Sequence, residues 1–377
     1  VLWAITGKLD APGAIYLNAK GLETPKLFEI PEDDKPIGVD EFPLFYKFSG
    51  QGQFSRFPKA VLEDEPYPVR GLMILGGSPA LSFPDSKSWR EAYKKLDCLI
   101  VLDRYFTEDA RYADVVFPAC SLFEVPKAAP GPEGPHIVEP LIEPVGESKN
   151  DVLIMGAIAK KLGFGDKLPQ TEEELRSWLL SGTAPYAGDF GTSADQKKEK
   201  HYKKYETGEL RADGKPGFPT PSGKLEICST ILEENGFVPY PEYKDVRSIP
   251  ELAGKEYPFT MTSGARSNNR MGVFGANLDK IAEIEPYPFV DINAEDAKEI
   301  GIKDGDMVKV ITPFADGTFK AKIRGIARHA IHIPHGGGSA YMAEPWKNGN
   351  VNDLCSLDYA DPMTGFVLIK SVPCRVE

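Results

Sequence analysis

Gly71-Leu-Met-Ile-Leu-Gly-Gly-Ser-Pro79 and Leu99-Ile-Val-Leu-Asp-Arg-Tyr-Phe-Thr-Glu-Asp-Ala-Arg-Tyr-Ala-Asp-Val-Val-Phe-Pro118 are the two stretches whose reading decides the fold. Each opens as a short unbroken apolar run, Gly71–Leu75 and Leu99–Leu102, that stops at a polar loop. Runs this short and apolar at every position suit strands covered on both faces. Val115–Phe117 repeats the pattern, and Ser86–Lys95 reads as a helix between the first two runs. Strands alternating with helices build a parallel sheet, and ligands of such sheets bind outside the carboxyl ends of the strands.

Working outward, Asn150–Leu162 places apolar residues at Val152, Leu153, Met155, Ile158, Ala159 and Leu162, which predicts an amphipathic helix started by Asn150 or Asp151 and stopped by Gly163. Thr171–Leu180 predicts another, with Thr171 and Glu174 in capping-box register. Thr107–Tyr112 reads as one helical turn and Ile137–Ile142 as a further strand. Residues 14–65, rich in Pro, Gly and aromatics, show no period and read as a long irregular excursion. Residues 164–255 read as a connector carrying loops, and the run Lys197-Lys198-Glu199-Lys200 as a solvated face. The chain opens at Leu2-Trp3-Ala4-Ile5 inside an apolar pattern, which predicts a piece of a longer protein.

From Tyr257 the pattern turns strand-rich. Phe259–Thr262 leads into Gly264-Ala265-Arg266, and Phe289–Ile292 precedes a short helix, Ala294–Glu299. Met307–Thr312 and Thr318–Ile323 predict a hairpin around Asp316-Gly317, with later strands at Ile331–Pro334 and Val367–Lys370. A closed barrel would satisfy the edges of these strands without any sequence repeat. The expected organisation is an α/β parallel-sheet, Rossmann-like domain over 1–163, its connector over 164–255, and a β-rich, double-psi-barrel-like domain over 256–377.

Composition narrows the function classes. The net charge of −12, from 44 basic and 56 acidic side chains, argues against general nucleic-acid binding, which needs a basic surface to displace counterions. No apolar run reaches the roughly 18 residues of a membrane-spanning helix. The five cysteines, Cys98, Cys120, Cys228, Cys355 and Cys374, form no CxxC and read as buried or incidental thiols. His332 and His335 stand three apart, on opposite faces of a strand, so shared metal ligation is not expected; a loop role is. No nucleophilic triad, P-loop or G-x-G-x-x-G is present.

The candidates therefore sit at strand ends. Gly76 and Gly77 let backbone N–H groups approach a ligand, and Ser78 adds a hydroxyl; the same residues also suit an ordinary turn. Asp103 is placed to accept from ribose hydroxyls or guanine N–H groups, or to cap the turn that follows it. Asp114 has the same structural alternative. Arg266 could pair with a phosphate or stand exposed.

The pattern V-x-D-x-aromatic-x-T-E through A-D-V-V-x-P, spanning Val101–Pro118, resembles the signature of the molybdopterin-dinucleotide oxidoreductases of the DMSO reductase and formate dehydrogenase type, and the resemblance runs from Thr6-Gly7 to Val376. It implies that Gly76, Gly77, Ser78 and Ser82 line the dinucleotide of a pyranopterin cofactor, and that Leu102, Asp103 and Ala119 mark the next strand ends. It further implies that Asp151 contacts guanine, and that Gly264, Arg266, Asn269, Asn352, Phe366 and Lys370 contribute from a carboxyl-terminal barrel. Asp304-Gly305-Asp306 would be architectural. Three features depart from the common pattern: Ser78 stands where Asn or Asp is frequent, Asp109 where a second Thr is frequent, and Asn268-Asn269 in a stretch that often carries histidines. The resemblance also implies two molybdopterin guanine dinucleotides per full enzyme with molybdenum or tungsten. It places a metal ligand and an optional 4Fe–4S cluster in an amino-terminal remainder, with an iron–sulfur electron-transfer subunit as partner. Alternatives are a non-redox hydratase or transhydroxylase on the same scaffold, and a cofactor-free structural subunit of an electron-transfer complex.

Overall fold

The structure is a computed structural model that describes residues 2–17, 35–129, 136–181, 202–264, 278–342 and 344–377. Within the expected irregular excursion lie the helices Pro43–Ser49 (α1) and Phe57–Glu63 (α2). The expected irregular excursion is thus partly helical. Pro43 and Pro58 each occupy a first helical turn, where the missing N–H has no partner to lose. Gly71–Leu75 (β1), Cys98–Asp103 (β2) and Val115–Pro118 (β3) form a parallel sheet in that order, with Leu75 opposite Leu102 and Asp103 opposite Pro118. Pro79–Ser82 (α3) and Ser86–Lys95 (α4) connect β1 to β2. Asp85 starts α4 by accepting from Ser88 N at 3.2 Å. Trp89, Ala92 and Tyr93 then share one buried face. The Trp89 indole stacks on Phe57 at 5.1 Å, in a core with Ile74, Leu99 and Val101. The turn at 107–112 is a 3-10 turn, Asp109–Arg111.

Next come Lys127–Ala129 (β4) and His136–Val138 (β5), an antiparallel pair. The strand expected to reach Ile142 ends at Val138 because Pro140 cannot donate to a ladder. Leu141 N then donates to Phe123 O instead, at 2.8 Å. Asp151–Lys161 (α5) begins where Asn150 Oδ1 accepts from Val152 N at 2.9 Å, and the chain leaves it at Gly163. Glu172–Leu180 (α6) carries the expected capping box between Thr171 and Glu174. Further along, Lys204 is buried against Asp10, to which both its ammonium and its backbone N–H donate.

Six strands close the barrel: Phe259–Ser263 (β6), Phe289–Asn293 (β7), Met307–Ile311 (β8), Asp316–Arg324 (β9), Ala330–Ile333 (β10) and Val372–Val376 (β11). Their order is β10-β6-β11-β8-β9-β7, closed by antiparallel pairing of β10 with β7. Alternate residues point inward, so Phe259, Met261, Val308, Val310, Phe319, Ala321, Ile331 and Ile333 fill the interior. Ala294–Glu299 (α7) follows β7, with Asn293 as its cap. Two expectations are corrected here. Asp316 and Gly317 lie in the β8–β9 ladder, opposite Ile311 and Val310, and the turn is formed upstream where Thr312 N donates to Ala315 O. Of Val367–Lys370, only Val367 bridges, to Ala360; the last strand is Val372–Val376, where burial of Val372 and Cys374 outweighs the ladder donor that Pro373 removes.

By internal packing the chain divides into two compact units, Val1–Pro31 with Cys120–Tyr243, and Glu32–Ala119 with Lys244–Glu377. The parallel sheet and the barrel belong to the same unit. No helix among the described residues is long and apolar enough to cross a membrane.

Candidate cofactor site

The carboxyl edge of the parallel sheet brings three of the predicted strand ends together. Gly76 N donates to Leu102 O at 2.9 Å, and Ala119 N donates to Asp103 O at 3.1 Å, so each strand-end loop is tied to its neighbour. Gly76 has φ +59° with open space where a Cβ would stand, so backbone conformation rather than crowding selects glycine. The loop then enters α3, whose first turn returns Leu81 N and Ser82 N to Ser78 O. Among the described residues, no acceptor meets the N–H of Gly77 or of Ser78. Leu102 is fully buried, and its carbonyl is the one Gly76 uses.

Asp103 follows the structural one of its two sequence readings. One carboxylate oxygen accepts from Tyr105 N at 3.1 Å, which shapes the loop. No donor among the described residues reaches the other oxygen. Asp114, by contrast, is a sheet residue in effect, accepting from Leu99 N at 2.7 Å.

Two carboxylates that sequence reasoning left unassigned organise this edge. Asp109 is completely buried behind the glycine loop. Its Oδ1 accepts from Ala80 N at 3.0 Å and from Tyr93 OH at 2.8 Å, and its Oδ2 accepts from the Ser78 hydroxyl. Burial pushes the Asp109 carboxyl above the ordinary aspartate range while the three donors pull against it, and burial beside that carboxylate pushes Tyr93 up in turn. Glu108, also buried, ties the β2 loop to the loop after β10: it accepts from Ala340 N at 3.0 Å and pairs with Arg111 at 2.8 Å. The Thr107-Glu108-Asp109 run was the available signal, since three polar residues just past a strand end rarely bury without partners.

The barrel side supplies rivets to this edge. Asn352 Nδ2 donates to Leu81 O at 2.7 Å and lies 3.3 Å from His335 Nδ1, and Asn352 O accepts from Asp85 N at 2.9 Å. Asn350 Nδ2 donates to Ser86 Oγ at 3.0 Å, and Arg90 pairs with Asp353 at 2.8 Å. Gly338 fits this joint only without a side chain, because a Cβ there would stand 2.7 Å from Asn350 Cβ. His332 lies on strand β10 rather than in the expected loop, its Nδ1 3.0 Å from Asp291 Oδ2 on β7.

A second group gathers at the end of β6. Ser263 Oγ donates to Ile369 O at 2.8 Å, which brings Gly264 beside the exposed Lys370. Phe366 is 57 % exposed, edge-on to Phe45 and Phe54. Arg266 and Asn269 lie outside the described residues. Asp151 is the first residue of α5, in the other compact unit, and is described only within it. Cys355 and Cys374 are pushed up to about 12 by burial, so neither is a thiolate at neutral pH. Among the described residues no group of three or more His, Cys, Asp or Glu side chains is arranged to hold a metal ion.

Comparison with known proteins places these features in context. Residues 55–161 match the family model Molybdopterin oxidoreductase, and residues 260–373 match the Molydopterin dinucleotide binding domain. The F420-dependent formate dehydrogenase subunit alpha of Methanocaldococcus jannaschii is 31% identical over 277 residues, which cover 71% of this chain and 38% of that protein. The assimilatory nitrate reductase catalytic subunit of Bacillus subtilis is 26% identical over 316 residues, covering 79% and 41%. The acetylene hydratase of Syntrophotalea acetylenica is 25% identical over 302 residues, covering 77% and 40%. The solved structure of acetylene hydratase from Pelobacter acetylenicus superposes with a TM-score of 0.74 at 22% identity, over 90% of this chain and 51% of that one, which shows a shared fold. The chain thus spans less than half the length of these curated relatives.

Proposed function

Because the chain belongs to the molybdopterin oxidoreductase family, we propose that it holds a pyranopterin guanine dinucleotide carrying molybdenum or tungsten, as the carboxyl-terminal part of an enzyme transferring an oxygen atom, or a hydride and electrons. One observation carries this reading. The carboxyl edge of the sheet presents the unused Gly77 and Ser78 amides and the open Asp103 oxygen side by side, within the same compact unit as the barrel. Amide donors suit phosphate oxygens and the carboxylate suits a ribose hydroxyl or guanine N–H. Lys370 adds a cation near Gly264, and Phe366 an exposed ring. The bound metal supplies the two-electron chemistry, and these residues supply binding and orientation.

Within this proposal, 1–163 forms part of the α/β oxidoreductase domain, 164–255 its connector, and 256–377 the dinucleotide-binding barrel; the two family matches fall inside the first and last segments. The full enzyme would carry two such dinucleotides, with the metal ligand and an optional 4Fe–4S cluster in an amino-terminal remainder and, where such a cluster is present, an iron–sulfur subunit as electron partner. The likeness to a protein named acetylene hydratase supports a second reading, water addition without net redox on the same scaffold.

Titration calorimetry with GDP tests the binding claim. The protein binds GDP, and Asp103→Ala weakens binding about tenfold by removing a hydrogen bond to a charged acceptor. Absence of GDP binding, together with absence of molybdenum and tungsten by elemental analysis, would instead establish a cofactor-free structural subunit. Reduction of an artificial electron acceptor during turnover separates the redox reading from the hydratase one.

A further inference from the structure

Ser78 and Asp109 touch each other across 31 positions of sequence. A serine hydroxyl has a single hydrogen to donate. That hydrogen is committed here. Ala80 N and Tyr93 OH both converge on Asp109 Oδ1, which leaves Oδ2 for the Ser78 hydroxyl; three donors converging on one carboxyl favour its ionised form against burial, and an ionised carboxylate can only accept. Asp109 has no room to turn away, because it is completely buried and the Ala80 donor is fixed by the first turn of α3. What Ser78 has left is lone pairs. The neighbouring Gly77 and Ser78 amides have the opposite character, being donors only.

We infer that Asp109 is a positioning residue that fixes the polarity of Ser78. The side chain then reads a hydroxyl or N–H donor on the ligand, such as a ribose hydroxyl, and phosphate oxygens are left to the backbone amides. This rests on the dinucleotide-binding reading above. It adds a specificity that neither residue has alone, because without Asp109 the Ser78 hydroxyl is free to rotate and donate.

The test compares GDP with 2′,3′-dideoxy-GDP by titration calorimetry. The unmodified protein prefers GDP by about tenfold or more, the worth of one or two ribose hydrogen bonds. Asp109→Asn keeps an acceptor for Ala80 and Tyr93 but turns an amide N–H toward Ser78. The hydroxyl hydrogen is then released outward, and the preference for GDP falls several-fold. Ser78→Ala lowers the preference in the same way and carries the test if Asp109→Asn does not fold. Thr171→Ala, a capping variant in the other compact unit, lowers the melting temperature and leaves the preference unchanged, which separates polarity from plain stability. A GDP preference that survives in folded Asp109→Asn and in Ser78→Ala overturns the inference. Failure of the unmodified protein to bind either nucleotide overturns the dinucleotide-binding reading and this inference with it.

Discussion

Two adjacent glycines answer to different physical demands. Gly76 is held at φ +59°, so Gly76→Ala forces an L-residue into the left-handed region at a cost of about 1–2 kcal/mol, read as lost stability in a denaturant titration. Gly77 has an ordinary backbone, and the nearest atom to an added Cβ is 3.7 Å away. Gly77→Ala therefore keeps stability within about 0.5 kcal/mol but plants a methyl where a ligand must approach, so GDP binding weakens without a change in melting. Equal stability losses in both variants would show that Gly77 is needed by the fold rather than the ligand. The strand ends that carry Gly76, Ser78 and Asp103 were legible in sequence because the strand-end rule is local: an apolar run stops and the loop begins. Asp109 was not, because its partners arrive from the β1 loop and from α4, and a buried carboxylate announces itself only once those donors are in place.

At the scale of elements, the segments that obeyed a period or a cap could be read directly. Thr171 with Glu174, and Asn150 ahead of α5, are such cases, and Thr171→Ala costs about 1 kcal/mol of stability. Segments governed by exceptions to a rule could not: Pro43 and Pro58 start helices, and Pro373 sits within a barrel strand. The stretches just after β3 and just before α5 have no period, and Glu124 ties them together. Its carboxylate accepts from Ser121 N, from Val145 N at 2.6 Å and from Ser148 Oγ at 3.1 Å. The Ser121 hydrogen bonds, with that from Val145, hold this carboxyl down at about 2 against an ordinary 4.5. A depressed carboxyl stabilises the folded chain fully above its unfolded value, and that contribution is lost as the pH falls through the folded one. Glu124→Gln therefore melts below the unmodified protein at pH 7, and the gap narrows as the pH falls from 4.5 toward 2. A gap that stays constant across that range would show that the loop does not depend on the charge.

For the whole molecule, chain order and packing order part company. Composition and motif divide the chain consecutively, near 163 and 255. Packing instead joins Glu32–Ala119 to Lys244–Glu377 and sets the intervening segment in a unit with the first residues. No local pattern reveals such an interleaving, since it rests on single bonds between segments far apart in sequence, such as Asn352 to Leu81 and Arg90 to Asp353. Asn352 is decisive because it is buried, and Asn352→Ala leaves the Leu81 carbonyl without its donor at a cost of about 1–3 kcal/mol. If the sheet and barrel are one cooperative unit, 244–377 made alone melts below the same segment co-expressed with 32–119, and the two co-purify. Asn352→Ala then reduces both the recovery of the pair and its melting temperature. A barrel segment that melts identically with and without 32–119 would mean two independent domains. The glycine loop and the barrel would then meet only through a ligand, and GDP would raise the melting temperature of the pair but not of either segment by itself.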